Sequence, residues 1–73
     1  MRAGLVQFRV LTMPMITVDM FPGRTEEQKR ALVHELTEAF VRTCDGKREG
    51  IWVVLREVQP ENWAIGGQLL SDR

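Results

Sequence analysis

The feature that most restricts the fold is a single long helix signal set between two strand signals. Thr25-Glu26-Glu27-Gln28 fits a capping box, with acids in the first turn to suit the helix dipole. Leu32, Leu36, Ala39 and Phe40 then recur at spacings of three and four, and Val33 and Val41 widen the stripe. The pattern runs to Cys44 and ends at Asp45-Gly46, so a helix of about five turns is expected over 25–44. Ahead of it, residues 15–21 alternate, with Ile16, Val18 and Met20 on one face and Met15, Thr17 and Asp19 on the other, as in a half-buried strand. Behind it, residues 50–57 hold the apolar run Ile51-Trp52-Val53-Val54-Leu55, which suits a central strand, and Arg56 and Glu57 mark its exposed end. Strand, long helix and strand make a β-α-β unit of the α+β class, with parallel strands and a right-handed crossover. Residues 60–73 are turn-rich, and Gly66-Gly67 is expected to open a short C-terminal hairpin or loop. Residues 5–11 also alternate in part and are a further strand candidate.

One helix covers one face of such a sheet, and nothing else in the chain is left to cover the other. Length points the same way. A chain of 73 residues buries only about 60% of the surface its unfolded form exposes, and is normally supported by disulfides, a metal or oligomerisation. Cys44 is the single cysteine, and a zinc site would have to be built from it and His34. A homo-oligomer is therefore expected. Ten basic against ten acidic residues give no excess of charge for nucleic acid or an anionic membrane. No apolar stretch approaches the roughly 20 residues of a membrane span, and Arg2 and Arg9 interrupt any signal-peptide core. A reducing, cytoplasmic setting is the expectation. Residues 1–12 carry Arg2 and Arg9 and no acid, a compositional break that separates an extension, 1–13, from a domain, 14–73.

Conventional catalytic sets are nearly absent: one His, one Cys, no Tyr and no glycine-rich phosphate loop. His34 reads as a surface or interface residue of the helix, Cys44 as a small buried apolar residue, and Met13, Met15 and Met20 as packing. What stands out is Met13-Pro14-Met15-Ile16, then Gly23-Arg24-Thr25, then Glu61-Asn62-Trp63-Ala64-Ile65-Gly66-Gly67. This ordered set, with Thr37-Glu38-Ala39 in the helix between, resembles the 4-oxalocrotonate tautomerase family from Pro14 to about Asp72.

The resemblance implies a cofactor-free, metal-free keto–enol tautomerase, assembled as a dimer or a hexamer, whose sites combine residues of neighbouring subunits. It implies that Pro14, exposed as the first residue, is the general base and acid. Only a chain-terminal proline has a free secondary amine, and apolar surroundings disfavour its protonated form. If translation begins at Met1, that nitrogen lies inside an amide and has no usable lone pair. Either Met13 is the true start, the favoured reading, or the extension blocks the site until it is removed. The plain alternative is an added edge strand, with Pro14 merely opening the next one.

Arg24 matches the family's carboxylate-binding arginine, for which a guanidinium fork is suited; otherwise it pairs with Glu26 or Glu27. Trp63 matches the aromatic wall beside the proline. Trp52 stands where diacid tautomerases of the family carry an arginine, and Arg56 lies ~13 Å further along the strand, too far for a simple replacement. A substrate with one carboxylate and an aromatic or apolar body, such as an arylpyruvate-like enol, then fits better than a diacid. Relatives that dehalogenate or hydrate unsaturated acids offer a second enzymatic reading, and a non-catalytic oligomeric binder, with Pro14 capped, a third.

Overall fold

Alternation carries Met15–Met20 into the first strand, β1, in which Ile16, Val18 and Met20 are half-buried and Met15, Thr17 and Asp19 are exposed. The computed structural model describes residues 14–73; the strand candidate at 5–11 and the start at Met13 lie outside the described residues. The helix α1 spans Glu26–Cys44, and Thr25 caps it as the sequence predicts. The Gln28 N–H donates to Thr25 Oγ1 at 3.1 Å, and the Thr25 N–H donates to Gln28 Oε1 at 2.9 Å. Two of the donors that a helix start leaves without partners are thereby satisfied.

The second strand, β2, covers Trp52–Glu57, because Arg48–Gly50 ahead of it turns into a short 3-10 segment instead of extending the strand to residue 50. β1 and β2 pair in parallel, with Met15 opposite Trp52 and Met20 opposite Glu57. The pairing runs past both strand ends: the Trp52 N–H donates to the Pro14 carbonyl at 3.0 Å and the Val58 N–H to the Met20 carbonyl at 2.8 Å.

Register sorts the side chains. Ile16, Val18, Val53, Leu55 and Glu57 share one face, and the ion pair from Lys29 Nζ to Glu57 Oε2, 2.8 Å, shows that α1 lies over it. On the opposite face stand Met15, Thr17, Asp19, Trp52, Val54 and Arg56. Met15 and Trp52 are 61% and 53% exposed there, and no side chain among the described residues is fully buried. The expected imbalance is therefore present: one covered face and one open face that is apolar at its Pro14 end.

α1 ends at Asp45-Gly46, as the sequence predicts. Asp45, not Gly46, takes the left-handed cap conformation, φ 61°, and its N–H donates to the Val41 carbonyl. Aspartate tolerates that region better than most residues. Gly46 is needed for space instead, since a Cβ there would lie 3.1 Å from the Phe40 ring. Cys44 is exposed rather than buried. Nineteen helical residues extend ~28 Å against ~20 Å for a six-residue strand, and the last three residues of α1, Arg42, Thr43 and Cys44, are exposed. Beyond the helix, Arg48 grips the Glu38 carboxylate with two nitrogens, Nη2 at 2.8 Å from Oε1 and Nε on Oε2.

The chain closes with a hairpin of β3, Ala64–Ile65, and β4, Gln68–Leu69. Gly66 and Gly67 between them have φ of 61° and 84°, the pair of positive angles that a two-residue type I′ turn demands.

Candidate functional site

Pro14 is half-buried immediately before β1, tied through its carbonyl to the first residue of β2, Trp52. This end of the sheet therefore brings together two of the four residues singled out in the sequence. The other two are at the opposite end. β1 stops at Met20, the chain turns through Phe21-Pro22-Gly23, with Gly23 at φ 126°, and Arg24 follows just before the Thr25 cap. Arg24 is exposed and makes no ion pair among the described residues; Glu26, a candidate partner, pairs with Arg30 at 3.1 Å.

Trp63 is half-buried at this same end because Phe21 holds it: the two rings meet edge to face, with centroids 4.7 Å apart and planes at 68°. Phe21 was missed in the sequence, where it reads only as part of a turn. Its one signal was an aromatic side chain, 40% exposed in the structure, in a segment otherwise made of breakers.

A cavity of about 500 Å³ opens beside this corner, lined by Asp19, Arg56, Val58, Asn62 and Trp63. Asp19 and Arg56 face each other across the paired strands, and the guanidinium donates from Nε to Oδ1 at 2.7 Å and from Nη2 to Oδ2 at 3.4 Å. Arg56 is thus committed to a carboxylate of its own chain, a partner to which the sequence spacing did not point.

That pairing has a pH signature. The hydrogen bond from Arg56 holds the Asp19 carboxyl below its usual 3.8, against a smaller opposing effect of desolvation, and Asp19 in turn raises Arg56. A depressed folded value means that the stabilisation is present above about 3.8 and is lost as the pH falls through the lower folded value. A carboxyl-detected NMR titration is expected to place the Asp19 midpoint below 3.8, and Arg56→Gln to bring it back toward that value. A midpoint unmoved by the substitution would show that the ion pair is not formed in solution.

Six residue steps separate Pro14 from Met20, or ~20 Å at the rise of a strand. Pro14 and Trp52 therefore cannot share one pocket with Arg24 and Trp63 of the same chain. Among the described residues, no group of three His, Cys, Asp or Glu side chains could hold a metal ion, and no helix is long and apolar enough to cross a membrane.

Comparison with known proteins bears on the same residues. The family model described as tautomerase enzyme matches residues 14–73. A probable tautomerase of Bacillus cereus is 44% identical over 61 residues, 84% of this chain and 100% of its own length. The 2-hydroxymuconate tautomerase of Bacillus subtilis is 45% identical over 60 residues, 82% of this chain and 97% of its own. Among solved structures, YwhB, a homologue of 4-oxalocrotonate tautomerase, superposes with a TM-score of 0.78 at 43% identity, covering 82% of this chain and 98% of that one.

Proposed function

The chain belongs to the tautomerase family, and from that premise we propose that it is a cofactor-independent isomerase acting on a small 2-oxo or 2-hydroxyalkenoic acid, with Pro14 as the general base and acid. The observation that carries this reading is where the match starts. The family model begins at Pro14, and a relative matched over its whole length by 61 residues leaves 12 of the 73 positions outside the match. We accordingly take Met13 as the working start and 14–73 as the catalytic domain. Removal of Met13 then leaves Pro14 with a secondary amine.

In the reaction the neutral Pro14 nitrogen accepts the proton of the enol hydroxyl. The oxygen forms the carbonyl as the electrons of the carbon–carbon double bond move to the far carbon, and the prolinium returns its proton there. Nothing is oxidised or reduced. Arg24 anchors the substrate carboxylate through its guanidinium fork, and Trp63, steadied by Phe21, supplies an apolar wall that disfavours a charged amine. Trp52 adds aromatic surface where it borders Pro14.

The ~20 Å between Pro14 and the end of β1 requires that a working site take its proline from one chain and its arginine from another. We propose a homo-oligomer, a dimer or a hexamer, in which the apolar, Pro14 end of the open sheet face is the covered surface. Its apolar Met15 and Trp52 and the lack of any fully buried side chain among the described residues support that assembly. A cytoplasmic location agrees with the reading.

The test joins intact mass to turnover. Protein isolated from its native source is expected to have a chain beginning at Pro14 and to ketonise an enol acid. An active protein whose mass includes residues 1–13 would defeat proline catalysis.

A further inference from the structure

The Asp19–Arg56 pair bears on which substrates the site accepts. Four observations meet at the cavity by Trp63. Trp63 and Val58 give it apolar surface beside the polar Asn62, and Phe21 is braced against Trp63 from outside the lining. It contains one guanidinium, Arg56, and one carboxylate, Asp19. The two are joined by a two-point fork at 2.7 and 3.4 Å, so the cavity carries no net charge of its own. Outside the lining but at the same end of the sheet, Arg24, three residues beyond Phe21, makes no ion pair among the described residues.

We infer that Asp19 is a specificity-determining residue: by occupying Arg56 it withholds a second cation from the substrate, so that the site takes a single-carboxylate enol with a flat apolar body and discriminates against a dicarboxylate. The inference rests on the tautomerase reading above, in which Arg24 grips one carboxylate and Trp63 forms the wall.

The physical reason is local charge. A second substrate carboxylate entering the cavity has to compete with Asp19 for Arg56, or lie beside Asp19 with its charge uncompensated. An aromatic body brings no second charge to compete for Arg56 and can pack on the Trp63 ring. A carboxylate that merely braced the two strands would affect every substrate alike. One that withholds a cation changes the ratio between substrates.

The ratio is therefore what the experiment reads. The kcat/KM values for 2-hydroxymuconate, a dicarboxylate, and for the enol of phenylpyruvate, a monocarboxylate, are measured for the unaltered protein, Asp19→Asn and Arg56→Gln. The unaltered protein is expected to prefer the phenylpyruvate enol. Asp19→Asn changes the cavity from neutral to a charge of +1 and is expected to move the ratio about tenfold toward the dicarboxylate. Arg56→Gln leaves Asp19 unpaired and is expected to move it in the opposite direction. Because the two variants act with opposite sign, either one decides if the other fails to fold. A ratio unchanged in a folded, active variant would overturn the inference, as would a preference of the unaltered protein for the dicarboxylate. Failure of the underlying reading looks different: the unaltered protein, beginning at Pro14, would turn over neither enol.

Discussion

Replacing Pro14 with alanine, in a chain that begins at that position, is expected to lower kcat/KM for enol ketonisation by about 10² to 10⁴, the range over which a positioned acid–base group contributes. The loss is not expected to be total, because alanine there still presents a terminal amine, now primary and less well placed. Retaining residues 1–13 is the more severe change: the nitrogen of Pro14 becomes an amide, its lone pair is delocalised, and it can neither accept nor return a proton. The decisive comparison uses one enol, followed by the decay of its ultraviolet absorbance, with three chains: Pro14 first, Ala first, and residues 1–13 retained. The order of activity should be proline, then alanine, then the blocked chain. Equal rates in the first and third, with intact masses verified, would end the proposal.

Arg24→Ala is the second large effect, a loss of about 10- to 100-fold in kcat/KM for any carboxylate-bearing enol, the worth of a hydrogen-bonded charge to its partner. Two observations make this site unusually clean. Arg24 has no ion pair among the described residues, so its removal leaves no carboxylate of the chain stranded. It also lies outside α1, ahead of the Thr25 cap, so the helix keeps both reciprocal bonds with Gln28. Circular dichroism and thermal unfolding should therefore change little while KM rises. Arg24→Lys keeps the charge but not the planar fork, and should recover only part of the loss. A variant that is folded and retains full kcat/KM would remove Arg24 from the site.

The local parts of this fold could be read from the sequence because their causes are local. Thr25 and Gln28 are three residues apart and cap each other, and β1 announces itself through the alternation of Ile16, Val18 and Met20. Parallel pairing followed from having a helix between two strands. What could not be read depends on positions meeting across the chain. Phe21 matters because Trp63 rests on it, 42 residues later, and no spacing rule links them. Arg56 reads as an exposed cation until its register places it opposite Asp19. Cys44 reads as a small apolar residue, yet it ends α1 in an exposed turn. The candidate site was legible as a set of residues, Pro14, Arg24, Trp52 and Trp63, but not as two groups at opposite ends of a strand.

The lack of a fully buried side chain among the described residues has a consequence for how such a protein behaves in dilution. In the proposed oligomer a chain whose described residues keep no interior when alone would draw its stability from association, so its melting temperature should rise with protein concentration and its activity per chain should fall as the solution is thinned. Folding, assembly and catalysis then share one dissociation constant. Copy number becomes a control on function, because below that constant the protein loses its structure and its active site together.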